Sequence, residues 1–198
     1  MITTKPERRE AAILNAELRN FTRLSEILPP EKVLELANEF FSLCAMTVTA
    51  NSGKVLSVQN DMLVGAFATG AHKEFAAKAL KSAQDLQREF GTLGEQWKKD
   101  YGLPAAISAA LHVGEAVFGM AGPIAHQQFV AFGDCVSVTE RLVHRARSGE
   151  VVLSLDFMKA LGASAATLGA DELPSLEIGK RPPIAIYGMA LEKRLDFT

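Results

Sequence analysis

The sequence predicts an α/β (α+β) fold whose sheet is mostly antiparallel. Three observations lead there. Short apolar strand patterns alternate with long amphipathic helices. Hairpin signals join strands that are neighbours in sequence, which makes them antiparallel. No internal repeat or low-complexity linker interrupts the 198 residues, so a single domain over residues 1–198 with one sizeable core is expected.

Each element has its own signal. Arg9 to Glu17 reads as a strand with an apolar centre, Ala11 to Leu14. Pro29-Pro30-Glu31 opens a helix, because proline is tolerated in the first turn and an acid there suits the helix dipole. Val33, Ala37, Phe40, Phe41, Cys44 and Val48 continue it at helical spacing, and Asn51-Ser52-Gly53 ends it. Lys54 to Val58 and Met62 to Phe67 form a hairpin around Gln59-Asn60-Asp61. A second helix carries Phe75, Ala79, Ala83, Leu86 and Phe90, with Gly91 and Gly94 expected to fray it before Trp97. Strands follow over Pro104 to Val113 and Ala116 to Met120, with Gly114 in the turn, and then Gln128 to Phe132. A helix starts at Gly133-Asp134 with Asp134 as its N-cap. A buried strand over Val151 to Leu155 and a hairpin-like pair around Lys180 to Pro183 complete the chain.

Composition excludes several function classes. The chain is 48% hydrophobic and 22% charged, as ordinary soluble domains are. A net charge of −2 offers no basic stripe to neutralise phosphates, so nucleic acid is not an expected partner. No apolar run reaches spanning length and MITTKPERRE is too polar for a secretory signal, so no membrane span is expected. Cys44 and Cys135 both lie in apolar patterns, and the four histidines show no ligand spacing. A disulfide framework or zinc site is therefore not expected, and the cytoplasm is the expected compartment.

Four blocks in a fixed order carry a resemblance. "AAILNAELRNFT" ends an apolar strand in Glu17 and leads to Phe-Thr; "LSVQNDMLVGAF" is a hairpin with Asp61 at its tip. "ALHVGEAVFGMAG" and "FVAFGDCVSVTERL" follow. Over nearly its whole length the chain resembles the catalytic domain of class III adenylyl and guanylyl cyclases. The resemblance implies a ferredoxin-like core with a mostly antiparallel sheet flanked by helices. It also implies a head-to-tail dimer with the active site at its interface. The chemistry joins the ribose 3′-oxygen to the α-phosphate with pyrophosphate leaving, and divalent ions held by two carboxylates assist it.

The resemblance places the family's roles on particular residues. Glu17 and Asp61 stand at the metal positions, so Mg2+ or Mn2+ is the implied cofactor, bound weakly if at all. Glu17 replaces an Asp, and its extra methylene shifts the oxygens by ~1.5 Å. Magnesium's octahedral demand makes that shift costly. Ser57 and Val130 occupy the base-reading positions, where the family has Lys with Thr or Asp; valine offers no hydrogen bond and a hydroxyl reaches less far than a lysine. Ser137 and Arg141, four apart on one helix, stand where the family has Asn and Arg at the transition state. Asn20, Phe21 and Thr22 correspond to the phosphate loop, with Asn20 in place of a glycine. The late phosphate-binding Lys falls on Ile178, with Lys180 or Arg181 as substitutes.

Each of these residues also has a plain structural reading. Glu17 can be a solvated strand end, Asp61 a turn acid, Ser57 and Val130 ordinary strand residues, and Arg141 a surface ion-pair partner. The expected function is a degenerate cyclase-homology domain with little or no cyclase activity. It would act as a dimerising or nucleotide-sensing module in intracellular signalling, partnered by itself or another cyclase-type chain and by a purine nucleotide. One alternative is an active cyclase with an atypical pocket, or one chain of a heterodimeric cyclase. Another is an unrelated ferredoxin-like ligand-binding domain, although an RNA-binding version lacks the interleaved strand aromatics it would need.

Overall fold

A long central strand organises the molecule, and the computed structural model describes it within residues 5–190. The expected 1–198 domain thus includes termini outside the described residues. Strand β1 (Glu7–Arg19) pairs antiparallel with β3 (Met62–Phe67) on one side and with β4 (Ala106–Ala121) on the other. Beyond β3 lies β2 (Lys54–Gln59); beyond β4 lie β6 (Glu150–Ser154), β8 (Ile184–Ala190) and β7 (Asp171–Leu176). A short β5 (Gln128–Phe132) pairs with the far end of β4, and β4 and β6 run parallel. The rest of the pairing is antiparallel. The architecture is an α+β fold with an open, mostly antiparallel sheet, as the sequence predicts.

Strand alternation sorts β1 between two layers. Ala12, Leu14, Ala16 and Leu18 join the main core with Phe40, Leu63, Phe75, Leu86, Ile107 and Leu111. That core lies under α2 (Pro30–Ala50), α3 (His72–Tyr101) and α5 (Leu155–Leu161). Ala11 and Ile13 point to the opposite face, with Leu56, Ala66 and Cys135. There α4 (Asp134–Val143) lays Val138, Leu142 and Val143 over Ala110 and Val152. Because β1 is covered on both faces, Ala11 to Leu18 is a run of buried residues.

Several boundaries differ from the sequence reading, each for a packing reason. Helix α3 continues through Gly91 and Gly94 to Tyr101. Trp97, almost fully buried, donates to Glu39 at 2.8 Å and meets Phe90 edge-on at 5.5 Å. That anchor outweighs the roughly 1 kcal/mol that each glycine costs. Gly114 is not a turn: β4 runs straight through it, paired with Ala11. A side chain there would meet Cys135 at 2.9 Å, so glycine serves the approach of α4. The reversal comes later, at Gly122, where φ is 111°. Asp134 is the first residue of α4 and Gly133 is its cap.

Two short helices have no counterpart in the sequence reading. These are α1 (Phe21–Ile27), directly after β1, and α5, whose cap Ser154 accepts from Phe157 N–H at 3.1 Å. Both edges of the sheet are irregular. The register of β2 shifts between Val55 and Ser57, and that of β7 between Leu173 and Leu176, a stretch that contains Pro174.

Candidate functional site

The end of β1 and the tip of the β2–β3 hairpin meet. Leu18 N–H donates to the Asp61 carbonyl at 2.8 Å, and Glu17 pairs across the strands with Met62. The two proposed metal carboxylates therefore lie side by side at one end of the sheet. Asn60 holds φ at 52°, a left-handed conformation that asparagine tolerates, and this turns the hairpin tightly enough to present Asp61. Asp61 is half-buried and has no ion-pair partner among the described residues.

Glu17 is differently placed. It is 8% exposed, and two basic side chains flank it: Arg19 Nη1 at 3.1 Å from Oε1 and His144 Nδ1 at 3.5 Å from Oε2. Burial pushes its carboxyl above the ordinary value. Arg19 and His144 oppose that rise, and the neighbouring Asp61 adds to it. Glu17 Oε2 has no hydrogen bond among the described residues.

Arg19 is the hub of the site. Its Nε donates to Ser108 Oγ, and its Nη2 donates to the carbonyls of Val143 at 2.9 Å and Ala146 at 2.5 Å. One guanidinium thus ties the β1 carboxylate to β4 and to the C-terminal end of α4, where helix carbonyls lack internal partners. The sequence reading missed Arg19, although it stands two residues from Glu17 and so shares its strand face. It also missed His144 and Ser108, which reach the site only through tertiary packing and leave no sequence signal.

The proposed phosphate loop begins on a left-handed residue. Asn20 lies at φ 64°, where the family's glycine would be comfortable, and its amide donates to Pro104 O at 3.2 Å. Phe21, half-buried, opens α1 and Thr22 is exposed.

The two base-reading positions point to different faces of the sheet: Ser57 pairs with Val64 on the face opposite the main core, whereas Val130 alternates with Phe129 and Ala131, which point to that face. Ser57 is exposed and sits opposite Val64, after the bulge at Leu56. Val130 is half-buried in β5, opposite Gly119 of β4. Neither position presents a charged group to a ligand.

Helix α4 buries Cys135, Val138, Thr139, Leu142 and Val143 and turns Ser137 and Arg141 outward. Both are exposed, and neither makes a hydrogen bond or ion pair among the described residues. Arg141 is thus not spent on a surface acid such as Glu140. No contact joins it to Glu17 or Asp61 within the described chain. Ile178 packs against the apolar cluster under α4, Lys180 is exposed, and Arg181 is engaged with Asp134 at 2.5 Å.

The donor set suits a hard divalent ion. Glu17 and Asp61 offer carboxylate oxygens alone, one of them buried without a hydrogen bond, and magnesium or manganese would complete its shell with water and phosphate oxygens. Among the described residues no cluster of three or more His, Cys, Asp or Glu side chains is arranged around a metal position. The Arg19 guanidinium already supplies positive charge where such an ion would approach, and the His144 ring stands beside it.

Comparison with known proteins bears on the family and the fold. Residues 3–186 match the family model described as the adenylate and guanylate cyclase catalytic domain. Adenylate cyclase 1 of Rhizobium meliloti (strain 1021) is 27% identical over 140 residues, covering 68% of this chain and 20% of that protein. Adenylate cyclase 2 of the same organism is 27% identical over 161 residues, covering 79% and 43%. The chain therefore spans less than half the length of either relative. The fold is also that of the adenylyl cyclase CyaB from P. aeruginosa, with a TM-score of 0.87 at 20% identity over 98% of this chain and 100% of that one. The guanylyl cyclase Cya2 aligns with a TM-score of 0.83 at 24% identity over 92% of both chains.

Proposed function

The chain belongs to the adenylate and guanylate cyclase catalytic domain family, and from that premise we propose that it is a dimerising, nucleotide-binding cyclase-homology domain with little or no cyclase activity. The observation that carries this reading is the internal charge pairing of Glu17. Its carboxylate is held by the Arg19 guanidinium and faced by the His144 ring, so a divalent ion must compete with a resident guanidinium. When bound, such an ion would activate the attacking hydroxyl and neutralise phosphate charge.

The other site residues favour the same reading. Ser57 and Val130 give no charged group to fix a base, and Ser137 is a shorter group beside Arg141 than the family's Asn. Removing one preorganised donor typically slows an enzyme by ~100–1,000-fold, and here several are altered together. The outward placement of Ser137 and Arg141 supports a symmetric homodimer in which α4 faces the second chain. A competent partner chain would receive Arg141 in the same way, which is the second reading this placement favours.

An assay for cyclic nucleotide and pyrophosphate, with ATP or GTP and with magnesium or manganese at high protein concentration, tests the proposal. Near-background product from a dimer, as measured by light scattering, is expected. Turnover on the order of 1 per second would make the domain an enzyme in its own right.

A further inference from the structure

We propose that Asn15 reads the base edge of a bound adenine nucleotide, an inference that rests on the nucleotide-binding reading above. Asn15 is a polar residue in the middle of β1, only 2% exposed, and its Oδ1 has no hydrogen-bond partner among the described residues. Leaving a buried amide oxygen unpaired costs about as much as the hydrogen bond it forgoes, so an apolar residue would serve the core better. A ligand that supplies the missing partner accounts for an amide at this position.

The register shows where that amide points. Asn15 shares the β1 face of Ala11 and Ile13, away from the main core. It pairs across the sheet with Val64 of β3 and Ala110 of β4, and Val64 pairs with Ser57 of β2. Ser57, Val64, Asn15 and Ala110 therefore form one cross-sheet rank on the same face. Ser57 is the base-reading position already described, and it lies two strand spacings, about 10 Å, from Asn15. Glu17 follows two residues later on the same face, so Asn15 belongs to the rank of Ser57 and neighbours Glu17 along β1.

The chemistry fits an adenine. An amide carries a donor and an acceptor side by side, and asparagine matches the N6 amino group and the adjacent ring nitrogen of adenine in a two-point contact. Ser57 and Val130 cannot form such a contact. Asn15 is then a specificity-determining residue that acts from within the sheet, in the rank that Ser57 ends at the exposed edge.

Calorimetry on the full chain with manganese tests this, using ATP, purine riboside 5′-triphosphate (which lacks the amino group) and inorganic triphosphate. The unaltered protein should bind ATP about tenfold more tightly than the purine analogue, the order expected for one two-point base contact. Asn15→Leu should bring the two nucleotides to within twofold, leave inorganic triphosphate unchanged, and melt higher because the orphaned oxygen is gone. Asn15→Ala should show the same loss of discrimination and serves if the leucine variant does not fold. A folded variant that still discriminates overturns the proposal, and if it also melts lower then Asn15 is structural. An unaltered protein that binds triphosphate but does not discriminate between the nucleotides overturns it as well. If the unaltered protein binds none of the three, the nucleotide-binding reading falls, and this inference falls with it.

Discussion

Arg19 and Glu17 are two residues apart on β1 and face each other across 3.1 Å, while the same guanidinium reaches the carbonyls of Val143 and Ala146. The carboxylate and the C-terminal end of α4 therefore share one cation. Any change at Arg19 acts on both.

Arg19→Met should destabilise the fold by about 2–4 kcal/mol. It leaves Glu17 buried with its main partner gone and takes the guanidinium away from the carbonyls of Ala146 and of Val143, which keeps its bond from Ala146 N–H. Arg19→Lys should recover only part of this, since one ammonium cannot reproduce the planar fork. Chemical denaturation of the three proteins gives the order.

The pH dependence follows from Glu17, whose carboxyl is raised above its ordinary value of 4.5, chiefly by burial. A raised carboxyl binds more protons in the folded state than in the unfolded state. Its contribution to stability is therefore largest at low pH and declines as pH rises from about 4.5 towards the folded value. Subtracting the stability curve of Glu17→Gln from that of the unaltered protein should show this decline over that interval. A difference that grows with pH there would mean that Arg19 and His144 overcome the burial.

Asn20 combines a left-handed backbone with an amide bond to Pro104. Asn20→Ala should cost about 1–2 kcal/mol, because alanine is strained in that conformation. Asn20→Gly relieves the strain and loses only the amide bond, so it should lie between alanine and the parent in thermal melting. If glycine and alanine melt together, the amide bond rather than the backbone conformation governs this corner.

Much of the fold was legible in the sequence because local signals and tertiary packing agreed. Pro30 and Asn51 bracket α2 as the prolines and the Asn-Ser-Gly stop imply, and the β2–β3 hairpin sits where its turn residues place it. The misses arise where packing overrides local preference. Gly91 and Gly94 lie inside α3 because Trp97 anchors its last turns. Gly114 sits in mid-strand because α4 needs the space. In the site, the Glu17–Asp61 pair was readable from motif order, whereas His144 and Ser108 come from positions far along the chain that only the folded sheet brings together.

Restoring the family's groups should move activity in one direction. Ser57 and Ser137 are exposed, so Ser57→Lys and Ser137→Asn need no new cavity. With Glu17→Asp and Val130→Thr they rebuild the metal, base and transition-state positions together. Groups that act on one transition state are not additive, so single changes should do almost nothing and the quadruple variant should form measurably more cyclic AMP with manganese. A folded, dimeric quadruple variant with no gain would mean that the backbone of the pocket, rather than these four side chains, blocks turnover, or that these four are not the positions at which the family acts.

The irregular margins of the sheet bear on how copies of this chain can meet. A flat outer strand offers a row of free backbone groups on which another strand can template, the usual start of fibrous aggregation. Here β2 bulges at Leu56, and β7 slips register around Pro174, which has no N–H to donate. Neither margin is a regular ladder for a newcomer to extend. Strand-by-strand growth is disfavoured at both ends, and self-recognition is directed to side-chain surfaces, where a closed pair can form in preference to an endless stack.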